Sequence, residues 1–228
     1  GALSGLFTGI AIGLLRERID NVFHFPEEIE QKFDQPFLGH IPHVKTLSQL
    51  RLSKKSIFEQ VKEKDKQQTK KEKLETFLSQ EAFRNIVTSI KFLGTKDQNK
   101  IFCVSSCVPE EGKSLTNIFL AKTIAEMGNK VLLIDADLRK PKVHERLQIN
   151  NLRGLSNLLT EKDAIIKDYI QDVPDHPNWK VITSGIKPPE STRLLSSTNM
   201  IEVLNQLKKS NDFDYVILDA PPILGLAD

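Results

Sequence analysis

The sequence predicts an α/β fold in which a mostly parallel sheet is covered by helices on both faces. Short apolar runs of strand length alternate with segments that carry apolar residues at helical spacing. Two of these runs end in aspartates, and a third leads through a glycine-containing loop into a helix. Ligands of open parallel sheets bind at the carboxyl ends of the strands, so these features are expected to meet at one edge.

The predicted elements follow one another over residues 81–228. Phe83, Val87 and Ile90 recur at helical spacing and predict a helix over residues 81–93. Gly128 is placed to end a later helix. Strands are predicted at 101–106, 131–135, 181–184 and 215–219, and helices at 115–127, 155–170 and 199–210.

The amino-terminal segment, residues 1–15, carries no charge and has glycine at every fourth position from Gly1. It is shorter than the roughly 20 residues that span a bilayer, and Arg16 follows it directly. We expect the carboxyl-terminal part of a transmembrane helix, with a buried soluble helix as the alternative. The chain starts without Met and stops at Asp228 after an apolar run, so we also expect a fragment whose last domain is truncated.

Residues 16–80 are expected to form a cytoplasmic juxtamembrane connector and a charged linker before the domain at 81–228. Residues 51–75 contain nine Lys or Arg and five Asp or Glu, with few apolar residues. That composition predicts a solvated helix or a flexible linker. Attraction to an acidic lipid surface is the alternative interpretation.

Composition excludes several classes of protein. The chain has 228 residues, of which 39% are hydrophobic and 27% charged, so it is neither disordered throughout nor a disulfide scaffold. Cys103 and Cys107 form no CxxC pair, which favours free thiols in a reducing compartment. The net charge of +2 argues against a global field for nucleic acid, so no nucleic-acid partner is predicted.

The segment CVPEEGKS at 107–114 lies between a predicted strand and a predicted helix, which is the context of a phosphate-binding loop. Backbone N–H groups of such a loop and of the helix amino terminus form a concave anion site. Gly112 allows close approach of the backbone to phosphate, Lys113 adds a positive charge, and the Ser114 hydroxyl is a ligand for Mg²⁺. Cys107 stands where the usual pattern has its first glycine.

Three carboxylates accompany this loop. Asp135 and Asp137 follow the strand VLLID as alternate residues, which point to the same side of an extended chain. Asp219 ends the strand YVILD. All three are therefore expected at the edge that carries the loop, where acidic groups can act beside Mg²⁺-bound phosphates.

Three segments of the sequence resemble the Walker A, Walker A′ and Walker B motifs of the bacterial tyrosine kinases: SSCVPEEGKS, VLLIDADLRKP and DYVILDAPPILGLAD. GLSNLL and SGIKPPESTRLLSS resemble the segments between those motifs, and EAFRNIVTSIKF resembles the preceding helix. These kinases are cytoplasmic domains of polysaccharide co-polymerases that govern capsule and exopolysaccharide chain length and export. The resemblance implies a P-loop NTPase fold and an ATP-dependent protein-tyrosine autokinase.

The resemblance also implies roles for individual residues, with ATP and Mg²⁺ as cofactors. Catalytic roles fall on Lys113, Asp135 and Asp137, and the metal ligands are Ser114, Asp135 and Asp219. Which aspartate acts as the base stays open. The nucleotide-binding set comprises Cys107, Val108, Pro109, Glu110, Glu111, Gly112, Lys113, Ser114 and Leu115.

The resemblance implies a homo-oligomeric ring that forms through Glu81 and Arg84 of the pre-domain helix. It also implies a location at the bacterial inner (plasma) membrane, and the polysaccharide polymerase and export machinery as partners. Two positions depart from the family, since Val87 replaces a usual arginine and Phe119 a usual asparagine. Glu81, Arg84 and position 87 are spaced three apart, so these three assembly positions are expected on one helix face. Tyr169 and Tyr215 are both poor phosphate acceptors. Two alternatives remain: a nucleotide-binding, non-catalytic co-polymerase regulator, and a partition-type ATPase resembling the Min and Par proteins.

Overall fold

The computed structural model describes residues 5, 9, 16, 26–42, 55–65, 69–93 and 100–225. The chain divides into two compact units, residues 1–38 and residues 39–228. In the first unit, helix α1 (Pro26–Phe33) is followed by a turn in which the Glu30 carboxylate accepts the Phe37 N–H at 3.0 Å. Most of the predicted membrane segment, residues 1–15, lies outside the described residues. No helix in the described part of the chain has the length and hydropathy needed to cross a membrane.

The second unit is built on a five-stranded sheet with the spatial order β1-β5-β2-β4-β3. Four strands run parallel, and only β3 pairs antiparallel, with β4. This sheet confirms the predicted fold class. The strands are β1 (Lys100–Val104), β2 (Val131–Asp135), β3 (Gln171–Val173), β4 (His176–Ile182) and β5 (Tyr215–Asp219).

Helices cover both faces of this sheet, because its strands are apolar on both sides. In β2, Val131 and Leu133 enter one buried cluster while Leu132 and Ile134 enter the other. The first cluster packs α2–α5 and the second packs α6 and α8. The helices are α2 (Ile57–Asp65), α3 (Lys70–Phe92), α4 (Lys113–Glu126), α5 (Val143–Leu147), α6 (Leu155–Thr160), α7 (Ser191–Leu195) and α8 (Thr198–Ser210), with 3₁₀ turns at Ile166–Tyr169 and Ile223–Gly225.

Some element boundaries predicted from the sequence are wrong. The helix predicted over 155–170 ends at Thr160, and only a 3₁₀ turn follows at Ile166–Tyr169. The strand predicted at 181–184 begins earlier, at His176, and ends at Ile182. Its added part includes Trp179, which is buried. Strand β3 was not predicted, since a three-residue edge strand with one buried side chain gives no periodic signal.

The charged segment at 51–75 is helical in its described part, which agrees with one of the two predicted alternatives. It is not simply solvated, however. Ile57 is 1% exposed and belongs to the core, and the Phe58 ring packs edge-on against Trp179 with centroids 5.7 Å apart. Thr69 then caps α3 and exchanges hydrogen bonds with Glu72. Two apolar anchors in a lysine-rich stretch are enough to fix α2 on the domain.

The pre-domain helix α3 does not present its three expected assembly positions on one face. Arg84 donates to Glu81 on the exposed side, whereas Val87 is 1% exposed and packs in the core. A helix turns about 100° per residue, so positions 81 and 87 face about 120° apart. Placing Val87 on the exposed face is therefore wrong, and an arginine there would bury a charge.

Candidate functional site

The loop between β1 and α4 has the backbone form of an anion site. Gly112 caps α4 in the left-handed region with φ of +84°, and α4 begins at Lys113. The first N–H groups of a helix lack partners within the helix and attract anions. Cys103 and Cys107 are both exposed free thiols.

Two glutamates shape this loop. Glu110 adopts φ of +69°, a left-handed conformation that costs a residue with a side chain about 1–2 kcal/mol. The Glu111 carboxylate accepts the backbone N–H groups of Cys107 at 2.8 Å and Val108 at 3.3 Å. A carboxylate of the chain therefore binds two of the amides that the sequence assigned to phosphate.

Lys113 lies over the predicted carboxylates. Its Nζ is 2.6 Å from Asp219 Oδ1 and 3.6 Å from Asp137 Oδ2. The Lys113 side chain is 6% exposed and that of Asp219 is fully buried. Parallel pairing of β2 with β5 places Asp135 directly beside Asp219. The structure thus brings together the lysine and the three aspartates that the sequence placed at one edge.

Asn117 is a site residue that the sequence reasoning missed. It is fully buried on α4, and its Nδ2 donates to Asp219 Oδ1 at 2.7 Å. An amide is therefore present although Phe119 replaces the expected asparagine; Phe119 instead packs near Phe83, with ring centroids 5.8 Å apart. An asparagine on an otherwise apolar helix face was the available signal.

Asp135 is a fully buried carboxyl group close to another carboxylate. Burial, followed by repulsion from Asp219, raises the pKa of Asp135 well above its usual range. Its Oδ2 accepts the Val143 N–H at 3.2 Å, which partly opposes this rise. Asp137 is anchored differently, because its Oδ1 accepts the Lys140 N–H at 3.1 Å.

The donor set fits a hard divalent cation that also binds phosphate. Asp135 Oδ1 and Asp219 Oδ2 are buried and have no hydrogen-bond partner. Across the described residues, no group of three or more His, Cys, Asp or Glu side chains could hold a metal ion alone. Mg²⁺ usually takes one or two carboxylates together with water and substrate phosphates, so two free carboxylate oxygens and the Ser114 hydroxyl suit it.

A cavity of about 990 Å³ opens above these groups. Its walls are the loop, the segment after β2 and residues 187–193. Of the predicted site residues, Cys107, Val108, Glu111, Asp135 and Asp219 do not line it. Those that do are Pro109, Glu110, Gly112, Lys113, Ser114, Leu115 and Asp137. Basic residues that the sequence analysis did not single out also line it: Arg139, Lys140, Lys142, Arg146, Lys187 and Arg193.

The third wall of the cavity is fixed by close backbone approach between the segments GLSNLL and SGIKPPESTRLLSS. Asn157 Oδ1 accepts the N–H groups of Gly154 at 3.2 Å and Ile186 at 3.3 Å. A Cβ on Gly154 would lie 2.2 Å from the Thr183 carbonyl oxygen, and Gly185 has φ of +76°. Both segments therefore act as scaffold for the wall.

Neither tyrosine is available at the surface. Tyr169 is 2% exposed, and its hydroxyl donates to Glu161 at 2.7 Å while accepting from Arg153 at 2.9 Å. Tyr215 is 5% exposed at the start of β5. This agrees with the prediction that both are poor acceptors.

The AAA domain family matches residues 99–228, which include the loop and all three aspartates. The chain belongs to this AAA domain family. Tyrosine-protein kinase YwqD of Bacillus subtilis is 40% identical over 151 residues, covering 66% of this chain and 62% of that protein. Tyrosine-protein kinase etk of Escherichia coli K12 is 32% identical, covering 100% of this chain and 31% of that protein.

The fold of this AAA domain is also found in solved kinase structures. The kinase domain of Escherichia coli tyrosine kinase ETK is 30% identical, with a TM-score of 0.73, covering 90% of this chain and 76% of that one. The BceF tyrosine kinase domain is also 30% identical, with a TM-score of 0.68 and coverage of 88% and 77%. These similarities confirm the predicted resemblance to the bacterial tyrosine kinases and the P-loop nucleotide-binding character of the fold.

Proposed function

We propose that this chain is the nucleotide-binding part of an ATP- and Mg²⁺-dependent protein-tyrosine autokinase. One observation carries the proposal: a buried lysine at the start of α4 contacts two aspartates from different strand ends beneath a cavity of about 990 Å³. The names of the relatives support tyrosine as the acceptor. The chain spans 62% of YwqD and 31% of etk, so the activity of a complete protein is part of the proposal.

Each residue has a role that follows from its position. The N–H groups of the loop and of the first turn of α4 bind phosphate oxygens, and Lys113 moves from Asp219 to the phosphates. Phosphate must displace the Glu111 carboxylate from the Cys107 and Val108 amides. Ser114, Asp135 and Asp219 would hold Mg²⁺, which supplies neutralisation of charge on the phosphate oxygens.

The chemical step is transfer of the γ-phosphoryl group. A tyrosine hydroxyl oxygen bonds to the γ-phosphorus, the bond from that phosphorus to the bridging oxygen of ADP breaks, and the hydroxyl proton passes to a carboxylate. Asp137 lines the cavity, whereas Asp135 lies buried beneath it with a raised pKa. Exposure to the cavity favours Asp137 as the base, and burial favours Asp135 as a metal ligand.

The proposal extends to assembly and location. Glu81 and Arg84 lie on the exposed side of α3, where they can contact another copy of the chain in a ring. We further propose attachment to the bacterial inner membrane beside the polysaccharide polymerase and export machinery, with no nucleic-acid partner. Support for this part is the resemblance of the motifs and a relative from Klebsiella pneumoniae that is named a putative tyrosine-protein kinase in the cps region.

A second candidate is a nucleotide-binding regulator without kinase activity. The burial of both tyrosines favours it, because neither can reach the cavity of another copy without unfolding. The two candidates share nucleotide binding and differ only in phosphoryl transfer to an added acceptor.

The experiment is a titration of ATP with Mg²⁺ against the wild-type chain and Lys113→Met. We expect affinity to fall about ten- to a hundredfold, as for loss of one charge-assisted contact. Lys122→Met is the matched control, since Lys122 lies on the same helix and pairs with Glu126 at 2.6 Å. Unchanged affinity in Lys113→Met would contradict the site. Incubation with a tyrosine-containing synthetic peptide then separates the candidates: labelled phosphotyrosine supports the kinase, and binding without transfer supports the regulator.

A further inference from the structure

Arg146 differs from the other basic side chains that line the cavity, because among them, within the described residues, it alone has a buried nitrogen without a partner. Lys113, Lys142 and Arg193 each contact a carboxylate, on Asp219, Glu145 and Glu190 respectively. Arg146 contacts none: within the described residues its guanidinium takes part in no ion pair or hydrogen bond, and its Nε is buried without a partner.

Such an arrangement is costly unless an anion completes it. The Arg146 guanidinium is partly buried and keeps its charge, and its buried Nε donates no hydrogen bond to the chain in exchange for the water it loses. Burial already lowers the pKa of Arg146, opposed by the charges of Glu145 and Asp219. The Arg146 side chain lines the same cavity as Lys113, Ser114 and Asp137. An anion bound in this cavity would therefore share it with the Arg146 guanidinium.

The position of Arg146 indicates which part of a nucleotide it meets. Helix α5 is held to the carboxylate edge, because its first N–H, from Val143, donates to Asp135 Oδ2 at 3.2 Å. Phosphates nearer the nucleoside are bound by the loop amides and the start of α4. In the proposed site the terminal phosphoryl group extends from that loop towards the aspartates, and Arg146 of α5 lines the same cavity as Asp137.

We propose that Arg146 binds the γ-phosphoryl group of ATP and thereby distinguishes ATP from ADP. This inference rests on the proposed function and adds a residue that the three motifs do not contain. A guanidinium offers a rigid fork of donors to phosphate oxygens, and an arginine supplied in cis stabilises the charge of the transferred group. Arg146 contacts the substrate in this proposal and acts through no other residue.

The experiment compares a non-hydrolysable ATP analogue with ADP, each with Mg²⁺, in calorimetric titrations of the full chain. In Arg146→Met we expect affinity for the analogue to fall about tenfold to a hundredfold, while affinity for ADP changes less than about threefold. Arg146→Lys keeps the charge without the fork, so part of the preference for the analogue should remain. Arg153→Met is the control, because Arg153 pairs with Glu161 outside the cavity.

The outcomes separate the inference from the proposed function. An unchanged ratio of the two affinities in both Arg146 variants overturns the inference, whether or not overall affinity falls. If Arg146→Met does not fold, Arg146→Lys alone decides, since its ratio must still decrease. Lys113→Met should weaken both ligands. Loss in Lys113→Met with no change of ratio at Arg146 refutes only the inference, whereas a wild-type chain that binds neither nucleotide refutes both.

Discussion

Replacing Lys113 by methionine should destabilise the protein even when no nucleotide is present. The lysine and Asp219 form an ion pair at 2.6 Å in which one partner is 6% exposed and the other fully buried. Breaking a buried pair by removing one partner costs about 3–5 kcal/mol, because the remaining charge is left uncompensated. Asn117 still donates to the same Asp219 oxygen, and the carboxyl group can take up a proton, so we expect the lower end.

A loss of about 3 kcal/mol corresponds to a decrease in Tm of about 6–12 °C for a domain of this size. Thermal unfolding followed by circular dichroism without nucleotide measures it. Lys122→Met is the control, and its exposed pair with Glu126 should contribute less than about 1 kcal/mol. The double variant Lys113→Met/Asp219→Asn should be more stable than Lys113→Met alone, since the unpaired charge is gone. Equal Tm values for Lys113→Met and wild type, or no recovery in the double variant, would refute the reasoning.

Three further predictions concern stability. Glu110→Gly should raise the unfolding free energy by about 0.5–1 kcal/mol in urea denaturation, because glycine accepts φ of +69° without strain; a gain in Glu110→Ala as well would contradict this. Burial lowers the pKa of His144, so in the folded state it resists protonation and stability should decrease as pH falls below about 6.5. His144→Gln should reduce the difference in unfolding free energy between pH 8 and pH 5.5, and an unchanged difference excludes His144 as its source. Gly185→Ala should lower the unfolding free energy by more than about 1 kcal/mol, and by more than Gly128→Ala does. Both glycines have positive φ, but only at Gly185 would a Cβ meet a neighbour, Asn157 Oδ1 at 2.5 Å. Equal losses in the two variants would show that this contact is unimportant.

The parts of the site that could be predicted are those encoded by short, local patterns. The order strand–GKS–helix and an aspartate at the end of an apolar strand each specify a position at the carboxyl edge, whatever the rest of the chain does. Lys113 and Asp219 are 106 residues apart and still meet at 2.6 Å, because parallel pairing of β1 with β5 brings their ends together.

The parts that could not be predicted depend on which face of a helix is turned inward. Asn117 and Arg146 are ordinary polar residues in the sequence, and only the packing of α4 and α5 directs Asn117 to Asp219 and Arg146 to the cavity. Ile57 is a comparable case, since its burial depends on a surface formed by later elements. Val87 is the opposite case. Spacing by three suggested that it shares a helix face with Glu81 and Arg84, but at about 100° per residue position 87 is rotated into the core.

The charges at the phosphate loop are paired within the chain, and this bears on how strongly a nucleotide can bind. The Glu111 carboxylate accepts hydrogen bonds from the Cys107 and Val108 amides, and Asp219 forms an ion pair with Lys113. Phosphate must exchange both sets of contacts, so the affinity gained is the difference between two charge-assisted arrangements and not the full strength of either. Arg146 differs from both groups because, within the described residues, no carboxylate has to be displaced from it. A ligand group that reaches Arg146 therefore gains a contact without breaking an ion pair of the chain, and in the proposed binding mode that ligand group is the γ-phosphoryl group.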